Sequence, residues 1–242
     1  MIASQSSALW SSHPPQRRQQ TLLEMQPFLR LREHDRLITK AAQASLEPLG
    51  CVQDDTSRTW IDDHGWWVAV IEFQPSSWSK GSYLNVGACW LWRETDHFAF
   101  DLGYRVQGFR GFEDPTQFAK ASEELAGRAA REVLKLRARI AGVRPIAWRL
   151  RLKWMPTLWD HYHAAVANGL VGKWAVARRR LRAISHSQAD AEWVVALKGR
   201  ALRLEPLLGE PDRFRQEVQA MIVRSRELLG LPALTTSSQF DA

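Results

Sequence analysis

Between Cys51 and Leu102 the sequence runs on a period of two. Apolar and polar residues alternate in Cys51–Asp54, Arg58–Asp62, Trp66–Gln74, Ser82–Trp92 and Phe98–Leu102, broken by "DDTS", "DDHG" and "QPSSWSKG". These are strands separated by turn formers. Parallel neighbours need crossovers of roughly a dozen residues or more, so spacers this short dictate sequential antiparallel pairing, a meander.

Helical spacing brackets the strands. From about 33 to 47, Leu37, Ile38, Ala41 and Ala44 form an apolar face, with Pro48 and Gly50 as stops. Asp114, Pro115 and Thr116 open a long helix reaching Ile140. Its stripe of Phe118, Ala121, Leu125, Ala129, Val133, Leu136 and Ile140 is set to lie across the sheet. Glu124 with Arg128, and Arg128 with Glu132, are spaced as i,i+4 pairs, while Arg128, Arg131, Lys135 and Arg139 face outward. After "AGVRP", alternating Ile146, Trp148, Leu150, Leu152 and Trp154 against Arg149, Arg151 and Lys153 predict one further strand with a basic outer face. Beyond Pro156 the pattern predicts helices over 157–168, 172–184, 190–204 and 211–229. The expected fold class is α+β: an antiparallel meander packed by helices, then a C-terminal α-helical hairpin region. The expected divisions are a disordered segment 1–20, a sheet domain 21–145, a basic helical region 146–234 and a tail 235–242.

The formal charge of +7 is unevenly spread. Residues 1–115 hold 11 basic and 14 acidic side chains, residues 116–242 hold 22 and 12, so the excess belongs to the second half. Such asymmetry points to an anionic partner. Cys51 and Cys89 lack His or Cys at ligand spacing and read as buried free thiols, in keeping with a reducing compartment. No secretory signal opens the sequence and no apolar run reaches the ~20 residues of a membrane span. A cytoplasmic location and no membrane partner are expected.

"IEFQPSSWSKGSYLNVGACW" resembles an uncharacterised bacterial family, a domain of unknown function. The matching residues are Gln74, Ser76 and Trp78 after one strand and Leu84, Asn85, Val86 and Gly87 in the next, with Leu49, Gly50 and Cys51 at the preceding junction. The resemblance spans about 34–135 and implies an α+β fold but no activity. Gly172, Trp174, Ala177 and Leu181 resemble the turn and second helix of a tetratricopeptide repeat, which implies stacked helical hairpins.

Two patterns carry candidate chemistry. Alternation puts Glu72 and Gln74 on one face of their strand, after the Asp62–Asp63 turn. This resembles the divalent-metal site of restriction-type nucleases, in which Asp62 or Asp63 with Glu72 holds Mg²⁺ and activates a water. Gln74 stands where that site carries a Lys, leaving Lys80 to supply the charge. The other pattern is basic: Lys173, Arg178, Arg179 and Arg182 on one helix, Lys198 and Arg200 on the next, able to neutralise phosphates. His161 and His163 point about 200° apart on a helix, given ~100° per residue, so they cannot share a metal and read as surface or packing residues. Trp159, Trp174 and Trp193 fall on apolar stripes, while Trp66, Trp78, Trp90 and Trp92 offer an aromatic sheet platform. The reading that follows is a non-catalytic binding protein without a cofactor, engaging a protein or sequence-nonspecific nucleic acid through its basic helical half. The alternative is a Mg-dependent nuclease using Asp63, Glu72, Gln74 and Lys80.

Overall fold

The computed structural model describes residues 33–55 and 57–234; the expectations for 1–20 and 235–242 lie outside them. Helix α1 covers 33–46 of the described chain and ends in a short 3-10 turn with Gly50 in the left-handed region, φ 82°. Five strands follow, β1 Val52–Gln53, β2 Thr59–Asp63, β3 Trp67–Glu72, β4 Gly81–Trp90 and β5 Leu102–Gly111, in sheet order β1-β2-β3-β4-β5. Every pair is antiparallel, so the meander is present as its short spacers dictate.

Helix α2, Pro115–Arg139, starts where Asp114 accepts the Thr116 and Gln117 backbone N–H groups at 2.8 and 2.9 Å, with Pro115 at the first position. Its stripe packs on the sheet. Trp60, Trp67, Ala69, Ile71, Val86, Ala88 and Trp90 share the face it covers, as the register Trp67↔Trp90, Ala69↔Ala88 and Ile71↔Val86 requires. The charges of α2 do not pair along the helix as its spacing predicted. Arg128 donates to Gln107 at 2.6 Å, Glu124 pairs with Arg110 at 3.5 Å, and Glu132 accepts from Tyr104 and Lys135, both at 2.7 Å. Strand β5 runs beside α2 and supplies Tyr104, Gln107 and Arg110 as partners, while Lys135 serves Glu132 from the next helical turn.

The remaining helices are α3 Val143–Arg151, α4 Leu158–Leu170, α5 Trp174–Ser185, α6 Glu192–Leu204 and α7 Pro211–Leu228. Helix α4 is the hub of this half. Every residue from Tyr162 to Gly169 is buried, and α3, α5, α6 and α7 all pack on it. A Cβ on Gly169 would lie 2.4 Å from the Phe214 ring, so only glycine lets α7 come so close. One contiguous buried apolar cluster runs from Ile38 in α1 through the sheet and α2 to Ile222 in α7. The boundary drawn between 145 and 146 falls inside α3, and this cluster runs across it.

Two predicted elements are corrected. The strand expected over Ile146–Trp154 is helix α3. Val143, Ile146, Ala147 and Leu150, spaced i, i+3, i+4, i+7, are its buried residues, whereas Trp148, Leu152 and Trp154 are exposed. Both periods fit this short run, and docking onto α4 selected the helical one. The strand expected over Phe98–Leu102 begins only at Leu102 and continues to Gly111. Gly103 serves the sheet: a Cβ on it would sit 2.5 Å from Gly87 Cα, so two strands meet closer there than side chains allow.

Candidate functional site

The acidic group does not assemble. In the β2–β3 register Asp62 faces Ala69 and Asp63 faces Val68, while Glu72 faces Thr59, so the aspartates and Glu72 occupy opposite ends of the hairpin. Three residues of strand separate Asp62 from Glu72, about 10 Å. Each carboxylate is also engaged. Asp62 accepts two hydrogen bonds from Arg137, both at 2.8 Å, and contacts His64 at 2.7 Å. Asp63 accepts from Arg226 at 2.9 and 2.6 Å, and Glu72 accepts from Asn85 at 2.8 Å. Burial alone would raise both aspartates; the partner hydrogen bonds and charges outweigh it and hold them below their ordinary value. Gln74 joins the same polar ladder, accepting from Asn85 at 3.0 Å and Arg105 at 2.8 Å. Lys80 precedes β4, its carbonyl accepting from Phe112 N–H at 2.9 Å. No group of three or more His, Cys, Asp or Glu suited to a metal ion occurs among the described residues.

The basic set divides in two. Arg200 is bound inward: it donates to the Arg93 carbonyl, and to the Glu94 carbonyl at 2.9 Å. Glu94, in the left-handed region at φ 56°, also receives Arg203 at 2.5 Å and Arg224 at 2.7 Å. Lys198 donates to the Ala189 carbonyl at 3.1 Å, and Arg182 approaches Glu205 at 3.7 Å. Lys173, Arg178 and Arg179 are exposed. Between them and the core, Arg180 is buried and caps α3, donating at 2.7 Å to the Arg151 carbonyl that the helix end leaves open. Burial and then Arg179 lower the Arg180 pKa from its ordinary value.

Arg180 ties α5 to the end of α3, beside a groove of 360 Å³ between α3, the end of α4 and the turn into α5. Arg144, Ala147, Trp148, Arg151, Asn168, Val171 and Lys173 line it, and no carboxylate is among them. Asn168, itself buried, fixes the floor by donating to the Ala147 and Ala164 carbonyls at 3.0 and 2.8 Å. Trp148 is 58% exposed at the rim. From 143 to 189 the chain carries nine Arg or Lys and one acidic residue, Asp160, which Lys153 neutralises at 2.7 Å. Lys173 was legible in the sequence, whereas Arg144 fell in the break before the expected strand and Trp148 and Arg151 on that strand.

Sequence reading also missed a buried polar network. Trp92 donates its indole N–H to His163 Nδ1 at 3.1 Å, which leaves the His163 proton on Nε2, 3.1 Å from Asp101 Oδ1. Arg93 pairs with the same oxygen, and the Trp90 backbone N–H reaches Asp101 Oδ2 at 2.9 Å. Burial opposes ionisation of Asp101, yet His163, Arg93 and the Trp90 N–H together depress its pKa. Both ring nitrogens of His163 and both oxygens of Asp101 have partners within the fold, so this is a clamp between sheet and helices. The aromatic platform is interior too: Trp66, Trp90 and Trp92 stack on one another, 5.2 to 5.5 Å apart, and only Trp78 is exposed. Trp193, expected to pack, is 50% exposed.

No family model, curated protein or solved structure matches the chain.

Proposed function

We propose that the protein is a non-catalytic, sequence-nonspecific binder of single-stranded nucleic acid, held in the groove between α3 and the α4–α5 turn. The observation that carries this reading is the lining of that groove: Arg144, Arg151 and Lys173 around an exposed Trp148, without a carboxylate. Cations in such a groove neutralise phosphates and release counterions, and an exposed indole stacks any base, since every base has a π-face. Arg178 and Arg179, exposed on the neighbouring α5, extend the positive track.

Titration of a mixed-sequence single-stranded oligonucleotide at several salt concentrations tests the proposal. Three to five phosphate contacts give a slope of log K against log salt of about −2 to −3.5. Arg144→Ala with Arg151→Ala should flatten that slope. Trp148→Ala should weaken binding by about 1–3 kcal/mol and leave the slope alone. Salt-independent binding, or a slope indifferent to the arginine variants, would overturn it.

A further inference from the structure

A second cavity, of 260 Å³, lies under the opposite side of α3. Helical spacing separates the two: Arg144, Trp148 and Arg151 point to the groove, whereas Ile146, Arg149, Leu150 and Lys153 point to this cavity. We propose that it binds a small amphipathic organic acid, one carboxylate on an aromatic or branched aliphatic body, independently of any nucleic acid.

The walls are apolar, from Trp90 and Leu102 of the sheet and Ile146, Leu150 and Leu152 of α3 and its end. The charged lining reduces to two cations once internal pairs are removed. Asp101 is satisfied by Arg93, His163 and the Trp90 N–H. Asp160 takes Lys153 on one oxygen at 2.7 Å and the Thr157 N–H and hydroxyl on the other, at 2.8 and 2.7 Å. Arg139 and Arg149 remain, exposed at the rim and without a hydrogen bond or ion pair among the described residues. An apolar chamber with two unpaired guanidiniums at its mouth suits a ligand with one greasy end and one anionic end, because guanidinium binds carboxylate as a fork. The volume falls just below the roughly 300 Å³ at which drug-sized pockets begin, so the body is one or two rings at most.

The test uses naphthalene-1-acetate and its uncharged amide as probes, with methyl-labelled full-length protein followed by NMR. The acid should saturably shift the methyl signals of Leu102, Ile146 and Leu150, and leave those of Leu197 and Met221 in the distant helical core in place. A Kd of about 1 mM or below is expected for a probe of roughly 14 non-hydrogen atoms. The amide, and the acid on an Arg139→Ala/Arg149→Ala double variant, should bind at least tenfold more weakly. Both arginines are exposed, so that variant keeps the fold, and its unchanged core methyl spectrum would verify this. Shifts that fail to saturate or that scatter over the molecule, equal binding of acid and amide, or indifference to the double variant would each overturn the assignment.

Discussion

Two neighbouring tryptophans of the stacked trio do different work. The Trp92 indole N–H holds His163 Nδ1, whereas the Trp90 indole N–H is buried without an acceptor among the described residues. A buried acceptor stripped of its donor costs about 1–3 kcal/mol, while removing an orphan donor recovers part of what its desolvation cost. Trp92→Phe should therefore destabilise by about 1–3 kcal/mol more than Trp90→Phe, although both delete the same atoms from one stack. Urea denaturation of the two variants checks this; equal losses would mean that the histidine contact contributes nothing. His163 packs in the interior, within the range its sequence reading allowed, but no sequence signal ties it to Trp92 or Asp101, which lie 71 and 62 residues away.

At the level of elements, helices long enough to show several turns of one apolar stripe were legible, and α2 runs within a residue of its expected bounds. The nine-residue α3 was not, since its alternating and helical patterns coincide and the buried face of α4 decides between them. That one misreading hid most of the groove. Docking of α7 was likewise invisible: it rests on Arg226, whose side chain is 5% exposed and which donates to Asp63, to the Gly65 carbonyl at 3.1 Å and to the Pro232 carbonyl at 2.8 Å. Arg226→Ala strips partners from two carbonyls and a carboxylate at once. A loss of about 3–5 kcal/mol in denaturant stability is expected. A change below about 1 kcal/mol would show that apolar packing alone seats the helix.

Across the whole molecule, carboxylates of the sheet and of the β4–β5 connection meet arginines of the helices: Asp62 with Arg137, Asp63 with Arg226, Glu94 with Arg203 and Arg224. Asp62, Asp63 and Asp101 have folded-state pKa values below their reference of 3.8. Their stabilisation is complete above that reference and is lost as pH falls through the lower folded values, because the unfolded chain takes up protons first. The urea midpoint should thus drop steeply from about pH 4 downward, and less steeply in an Asp62→Asn/Asp63→Asn variant; an identical acid limb would refute the link.

Local pattern and spacer length sufficed for the α+β class, the meander and the long helices, because strand alternation and turn chemistry act over a few residues. Charge asymmetry was equally plain, being a matter of counting. Which cations stay free was settled only when distant groups came within hydrogen-bonding reach, tying Arg203 to Glu94, Arg200 to the Arg93 and Glu94 carbonyls and Arg226 to Asp63, and leaving Arg144 and Lys173 exposed. Pairing of that kind depends on separations of a few ångströms between residues far apart in the chain, and no local pattern encodes them.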